Sequence, residues 1–212
     1  MKSLASNHLH RYDLVLDAGE GVRLTDLQRA FAAACDHVAS IARVEGVYGR
    51  VRLHHVAYEQ VRAAFPTLGA QHACNAIYAV SKAMRTLCEA SGSPIRKRGA
   101  WQRSHDDGGH GTAPNVPIFR FSVQNPVYFD RNSLTIQPSG NGTLAALSGR
   151  AKFRISEPAE LLQLLKTGGC REIALHRQGE GPFYLEVWTK ASASHRASSA
   201  EIAPVARVEA MP

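Results

Sequence analysis

Three basic residues alternate with apolar residues in the segment 150–155. Arg150, Lys152 and Arg154 occupy every second position of that segment. Successive side chains of a β-strand point to opposite faces, so this spacing predicts a strand with one face in the core and three cations on the other. A row of positive charges is suited to a polyanionic partner.

A second basic cluster lies in residues 91–115, where Gly, Ser, Pro, Asp and His dominate and a long mobile loop is predicted. Its cations surround one aromatic residue; the members are Arg96, Lys97, Arg98, Trp101 and Arg103. Cations near a flat ring suit phosphate contact with base stacking, as in arms that hold RNA or single strands. A solvated linker explains the same composition at least as well.

A third candidate surface lies on a helix predicted from about Ala70 to Ala90. Its apolar stripe consists of Ala73, Ile77, Val80, Met84 and Leu87. Its other side carries hydrogen-bonding and cationic groups at intervals of three and four, namely Gln71, Asn75, Tyr78, Lys82 and Arg85. This second stripe is either a binding surface or an ordinary solvated helix face.

The sequence does not contain the residue patterns that hydrolases, nucleotide-binding enzymes or metal sites need. The sequence contains no GxSxG motif, no P-loop and no Rossmann glycine pattern. The histidines that could suggest a metal site are His54, His55, His72, His105 and His110. Adjacent histidines on a helix point to different faces, and the last two lie in the predicted loop, so we predict no metal site and no cofactor.

Composition sets the outer bounds. The chain has 212 residues, of which 44% are hydrophobic and 20% charged, enough for one domain or two small ones. The net charge of +7 and pI of about 9.5 favour nucleic acid as a partner, although such charge also occurs in proteins that are merely soluble. The four cysteines form no CxxC pair, and we expect no signal peptide, no membrane partner and a cytoplasmic location.

The first two elements are predicted from the spacing of apolar residues, which changes from every second position to helical spacing. Alternating apolar residues predict a strand over His10–Asp17 that ends in a turn at Ala18–Gly21. Helical spacing then predicts a helix from about Leu24 to Ile41, with Thr25 or Asp26 near its start.

Strands dominate the second half of the chain. The remaining predicted elements are a helix at Leu53–Phe65, a strand at Phe119–Val123, a hairpin of Val127–Phe129 and Leu134–Ile136 around residues 130–132, a strand at Arg150–Ile155, a helix at Ser156–Gly168, and strands at Cys170–Arg177 and Pro182–Trp188. An order of strand, three helices and several strands is simplest if the first strand closes with the later ones into a small antiparallel barrel carrying the helices as an insertion.

Several segments together resemble a known family. They are Leu53–Arg62, Leu68–Ala73, Asn75–Ile77, Val127–Leu134, Leu144–Ile155 and Gly181–Val187. In order and spacing these segments resemble the amino-terminal half of TnpB (OrfB), the transposon-encoded RNA-guided nucleases related to compact type V CRISPR effectors. The resemblance spans about Tyr12 to Val187.

The resemblance implies an α+β fold, with a wedge-type β-barrel and an inserted helical recognition lobe. It agrees with the division that periodicity and composition predict: 1–20 for the first barrel strand, 21–92 for the helical lobe, 93–115 for a basic flexible loop, 116–190 for the rest of the barrel and 191–212 for a disordered tail. Family members use this half to hold guide-RNA scaffold and to read a short DNA motif.

Particular residues take implied roles from the same resemblance. Tyr58, Arg62, Gln71 and Asn75 would lie near the DNA motif, where Gln and Asn are able to pair with adenine edges. They are equally consistent with surface polar residues. The three alternating cations of segment 150–155 would contact phosphate, a role that needs only charge on one strand face.

The chain departs from the family after Trp188. Its tail offers no Asp-x-Gly strand, no carboxylate cluster for two-metal phosphodiester cleavage and no Cys pair for a zinc ribbon. We therefore predict a nuclease-deficient, non-enzymatic protein that binds RNA or DNA. It would be either a remnant of a transposon gene or a module completed by a separate nuclease chain. The alternative is a protein–protein interaction module of barrel and helices with incidental positive charge.

Overall fold

The computed structural model describes residues 7–90, 120–130, 132–167, 170–177 and 179–190. In chain order its elements are β1 (Asn7–Asp13), α1 (Ala18–Val44), α2 (Arg50–Ala64), α3 (Ala70–Ala90), β2 (Val127–Phe129), β3 (Leu134–Ile136), β4 (Asn141–Ala145), β5 (Arg150–Arg154), α4 (Pro158–Lys166), β6 (Cys170–Arg177) and β7 (Phe183–Lys190). The mixture of helices and antiparallel sheets confirms the predicted α+β class.

The strands form two antiparallel sheets. One has the order β1-β7-β6-β2 and the other the order β3-β4-β5. The first strand pairs with the last, as predicted. Just beyond β1, Val15 and Arg154 exchange backbone hydrogen bonds of 2.8 and 2.9 Å, which join the two sheets at one seam. Among the described residues no ladder joins β2 to β3, so the predicted closed barrel is not found.

The predicted hairpin of β2 and β3 is wrong, although both strands exist. β2 pairs with β6, and β3 pairs with β4. Between them the Asp130 carboxylate accepts hydrogen bonds from the backbone N–H of Asn132 and of Ser133, at 3.1 and 2.8 Å. This side chain forms a local turn of its own, so the chain passes from one sheet to the other without a strand ladder.

The predicted strand at Phe119–Val123 is also not found in its described part. Asn125 N–H donates to Ser122 O at 2.9 Å, and Ser122 N–H donates to the Asn125 side chain at 2.7 Å. Phe121 N–H donates to the Asp36 carboxylate at 2.7 Å. These local bonds and a contact with α1 use the backbone donors that a strand ladder would need.

Helix α1 begins six residues earlier than the predicted Leu24, at Ala18. Asp17 has an extended backbone, and its Oδ1 accepts from Glu20 N–H at 2.9 Å, so it is the N-cap. The predicted turn at Ala18–Gly21 is therefore the first helical turn. Thr25, expected near the start, lies inside the helix and donates to Gly21 O at 2.9 Å.

The apolar stripes of the helices meet the inner faces of both sheets in one core. The buried members include Leu24, Leu27, Phe31, Val38, Leu53, Val61, Ile77, Val80, Met84, Leu144, Phe153, Leu175 and Leu185. The predicted stripes of the first and third helices are thus confirmed as core. Helix α4 packs against β1, where Tyr12 Oη donates to Glu160 Oε2 at 3.1 Å.

Two predicted features fall outside the described residues. These are the basic loop with Arg96, Lys97, Arg98, Trp101 and Arg103, and the disordered tail at 191–212. Within the part of the chain that the structure covers, no helix has the length and apolar character needed to cross a lipid bilayer.

Replacing Asp17 by Ala should lower the free energy of unfolding by about 1 kcal/mol, because α1 loses its N-cap acceptor. The matched control is Asp26→Ala, which removes an exposed side chain paired with Arg29 at 3.2 Å and should cost at most about 0.5 kcal/mol. Urea denaturation measures both. Equal losses in the two variants would contradict the observed cap position.

Candidate nucleic-acid interface

The predicted cationic strand is present as β5. Arg150, Lys152 and Arg154 are exposed, and the intervening Ala151 and Phe153 are buried. The apolar side packs into the core, which fixes the three cations on the solvent side of the three-stranded sheet.

Cross-strand register defines the rest of this surface. Asn141, Thr143 and Ala145 on β4 lie directly opposite Arg154, Lys152 and Arg150. Thr135 on β3 lies opposite Thr143, and Val15 lies opposite Arg154. We call this surface the basic face; it consists of Val15, Thr135, Asn141, Thr143, Ala145, Arg150, Lys152 and Arg154. None of these eight side chains is a carboxylate or an aromatic ring.

The three cations differ in how they are held. Arg150 lies across the sheet, where its Nε donates to Thr143 Oγ1 at 2.6 Å and its Nη2 to Ser133 O at 3.3 Å. The side chains of Lys152 and Arg154 have no hydrogen-bond or ion-pair partner among the described residues. Arg150 is therefore braced on the sheet, whereas the other two are available to an external anion.

A glycine on the buried side of β4 allows the Phe153 ring of β5 to pack closely beneath the sheet. Gly142 lies opposite Phe153, and a Cβ atom at Gly142 would lie 2.3 Å from Phe153 Cζ. Any side chain there would displace the Phe153 ring. The close packing beneath the sheet thus depends on the absence of a side chain at this position.

The polar stripe of α3 faces the protein itself over part of its length. Asn75 Nδ2 donates to Tyr128 O on β2 at 2.7 Å. Tyr78 Oη donates to Glu172 Oε2 on β6 at 2.6 Å, and Lys82 Nζ donates to Glu172 Oε1 at 2.7 Å. Burial, together with the bond to Glu172, raises the pKa of Tyr78 to about 12. These side chains bind the helix to the four-stranded sheet.

Asn75 is engaged at both ends of its amide group. Its Oδ1 accepts from Gln71 Nε2 at 3.3 Å, while its Nδ2 is bound to Tyr128 O. Pairing with an adenine edge would require Asn75 to give up these bonds. Its role in reading DNA, and that of the exposed Gln71, stay predictions.

The other candidate residues on the helices occupy separate environments. The Tyr58 ring stacks on His54, with ring centroids 5.0 Å apart. Arg62 donates to Leu68 O in the turn before α3, and Arg85 is exposed near the end of α3. Within the described residues, none of Tyr58, Arg62, Lys82 or Arg85 hydrogen-bonds to the basic face.

Sequence reasoning missed the structural role of His72. This side chain is 2% exposed, its Nε2 lies 3.1 Å from Ala145 O on β4, and its ring meets Phe129 edge-on at 5.3 Å. Because a carbonyl only accepts, Nε2 carries the proton. Burial is the main cause that lowers the pKa of His72 below its ordinary value of 6.5. His72 thus ties α3 to the three-stranded sheet.

The partners of these polar groups could not be read from the sequence. Tyr78 and Glu172 are 94 residues apart, and His72 and Ala145 are 73 apart. No local spacing marks such pairs. In the described ranges, no group of three or more His, Cys, Asp or Glu side chains is placed to hold a metal ion.

The fold and the site define an α+β protein in which a three-helix insertion packs on two linked antiparallel sheets, one with a basic outer face. No protein-family model matches the chain, and no curated protein matches it.

Because the folded state favours neutral His72, the free energy of unfolding should be fully retained above about pH 6.5 and fall as the pH drops below the group's ordinary pKa. Replacing His72 by Gln keeps an N–H donor but removes the titration. Urea denaturation between pH 7.5 and pH 5.5 should show a smaller loss in the variant than in the wild type. Identical pH dependence in the two proteins would show that His72 does not contribute to the loss of stability at low pH.

Asn75→Ala should lower the free energy of unfolding by about 1–2 kcal/mol, because Tyr128 O loses its donor. Gln71→Ala is the matched control, since Gln71 is exposed and its side chain bonds only to Asn75 among the described residues, and it should change stability by at most about 0.5 kcal/mol. Denaturation of both variants tests this. A neutral Asn75 variant would show that the amide is not needed to dock α3.

Proposed function

We propose that this chain is a nuclease-deficient, TnpB-like protein that binds RNA or DNA. The basic face is the observation that supports the proposal. It presents Lys152 and Arg154 without ion-pair partners among the described residues, and none of its eight side chains is a carboxylate. A polyanion that contacts unpaired cations releases its own counterions and need not break an existing ion pair.

The arrangement of elements supports the same proposal. Helices α1, α2 and α3 are inserted between β1 and β2, and β1 pairs with β7 at the other end of the chain. We propose that the two sheets correspond to the wedge barrel of the resembled family and the helices to its recognition lobe. The seam between Val15 and Arg154 is consistent with this arrangement.

Residue types in the basic loop, and the resemblance for the other parts, support the rest of the proposal. The basic loop from Arg96 to Arg103 would add phosphate and stacking contacts. A separate nuclease-domain chain would supply the cleavage activity, and the protein itself would have no enzymatic role. A cytoplasmic location accords with such partners.

A protein–protein interaction module is the second candidate. Two exposed valines at the junction of α1 and α2, Val44 at 79% and Val51 at 70% exposure, favour it. The inward contacts of Asn75 and Lys82 also remove part of the expected nucleic-acid surface. Under this alternative the basic face serves only solubility.

Replacing Arg150, Lys152 and Arg154 together by Ala should weaken RNA binding at least roughly tenfold and reduce the slope of log affinity against log salt by about 2–3. Fluorescence anisotropy at several salt concentrations measures both quantities. The control replaces the exposed helix residues Arg43, Arg52 and Lys166 by Ala, which removes the same charge elsewhere. Equal losses in the two triple variants would show that only net charge matters.

Immunoprecipitation followed by RNA sequencing separates the two candidate functions. A dominant small RNA bound by the wild type and lost in the basic-face variant supports nucleic-acid binding. Background RNA together with one stoichiometric protein partner supports the interaction module.

A further inference from the structure

We propose that residues 207–211, which we call the tail segment, add as an antiparallel strand to the open edge of β1 in the same chain. This pairing involves no nucleic acid and is therefore independent of the function proposed above. It depends on the direction of the backbone groups of β1, on the charges beside them, and on the amino-acid sequence of the tail segment.

β1 is a terminal strand of the four-stranded sheet, and no strand pairs with its outer edge within the described residues. Leu14 N–H donates to Phe183 O on β7 at 2.9 Å, whereas Val15 N–H points the other way and donates to Arg154 O at 2.8 Å. Backbone groups of a strand alternate in direction, so every second residue of β1 presents its N–H and C=O to the open edge. These residues are Leu9, Arg11 and Asp13, and their backbone groups have no hydrogen-bond partner among the described residues.

This edge lacks most features that block the addition of a strand. β1 contains no proline and no lysine, and its register with β7 has no bulge over residues 7–13. Such an edge is a template for a further strand. At the other end of the sheet the edge strand β2 is already covered, since Asn75 Nδ2 donates to Tyr128 O at 2.7 Å. The open edge of this sheet is therefore that of β1.

The side chains beside the open edge form a short pattern of apolar, basic and acidic residues. Leu9, Arg11 and Asp13 are all exposed on the outer face of the sheet. Arg11 Nε donates to Asp13 Oδ1 at 3.2 Å, and its Nη1 and Nη2 have no hydrogen-bond partner in the part of the chain that the structure describes. A strand that fits this edge therefore places an acidic residue opposite Arg11 and a basic residue opposite Asp13.

The tail segment carries charges in the order that this edge requires. In one antiparallel register Glu209 lies opposite Arg11 and, two residues along, Arg207 lies opposite Asp13. A shift of two residues in either direction puts like charges opposite each other, Arg207 on Arg11 or Glu209 on Asp13, which is destabilising. A parallel arrangement matches only one of the two charge pairs, because the basic residue precedes the acidic one in both segments. The charges thus select a single register.

The other residues of the tail segment fit the same register. Met211 lies opposite the exposed Leu9 and forms an apolar cross-strand pair. On the inner side of the sheet, the β-branched Val208 lies opposite the buried Tyr12. The new strand begins at residue 207 because Arg154 already occupies the edge beside Val15.

The chain between β7 and the tail segment is long enough for this pairing. β7 ends at Lys190, whose register partner is Asn7 at the start of β1. A position opposite Asp13 is roughly 22 Å away, six residues along the strand and two strand spacings across. Residues 191–206 span up to roughly 50 Å when extended. A tether of this length holds the segment at an effective concentration on the order of millimolar, so a weak pairing of strands is sufficient.

Hydrogen exchange measured by NMR on the full chain tests this pairing, because neighbouring amides of β1 face different sides. The amides of His10 and Tyr12 face β7 and report whether β1 is folded. The amides of Leu9 and Arg11 face the open edge and are protected only when a strand pairs with them. In the wild type both edge amides should exchange at least roughly tenfold more slowly than in an unpaired strand.

Variants of the two charge pairs test the register. Glu209→Lys should lower the protection of the edge amides at least roughly fivefold, because it puts two cations opposite each other. The matched control is Glu201→Lys, which makes the same charge change in the tail outside the tail segment and should have no effect. Asp13→Lys and Arg207→Glu should each lower protection, and the double variant should restore it. Asp13 is suited to this exchange because its side chain is 70% exposed.

Each outcome supports or overturns the pairing. Protected edge amides, a selective loss in Glu209→Lys and recovery in the double variant support it. Fast exchange of the edge amides in the wild type overturns it, and fast exchange of His10 and Tyr12 as well contradicts the pairing of β1 with β7. Equal effects of Glu209→Lys and Glu201→Lys, or no recovery in the double variant, overturn the assigned register. Protection that increases with protein concentration assigns the strand to a second copy and overturns pairing within one chain.

Discussion

The assembly of this protein depends on hydrogen bonds from one helix to two different sheets. Helix α3 reaches β4 through His72, β2 through Asn75, and Glu172 on β6 through Tyr78 and Lys82. Polar groups at a packed interface must find partners, because an unsatisfied buried donor or acceptor costs more than a formed bond gains. These bonds therefore determine where the helical insertion lies on the sheets, while the apolar stripe beneath supplies most of the burial.

The same arrangement separates the parts of the molecule that fold it from the part that faces solvent. On β5, Ala151 and Phe153 point into the core while Lys152 and Arg154 point outward. The cations therefore need no partner inside the protein, and changes to them need not disturb the core. On α3 the polar side chains are not separated from the fold in this way, since Lys82 and Asn75 form hydrogen bonds that hold the helix on the sheet. Polar side chains on β5 thus face solvent, whereas Asn75 and Lys82 on α3 hold the fold together.

Local pattern predicted the elements far better than it predicted their partners. Alternation in 150–155 and the helical stripe through Ile77 and Met84 were sufficient to predict a strand and a helix with their buried sides, because each pattern shows which side of one element is apolar. The early start of α1 was missed because Asp17 precedes two glycines, which favour a turn over a helix. The hairpin of β2 and β3 was wrong because the turn at Asp130 forms through its own side chain and leaves strand pairing open.

The sequence alone determined the α+β class, the pairing of the first strand with a late one, and the charged side of β5. The class and the charged side follow from periodicity, which is a property of neighbouring residues, and the pairing follows from the order of the elements along the chain. Only the tertiary structure decided that the polar side of α3 turns inward, that Arg150 is braced while Lys152 is not, and that two sheets meet at Val15 and Arg154. Those outcomes depend on groups far apart in the chain, whose pairing is set by packing geometry that no local spacing contains.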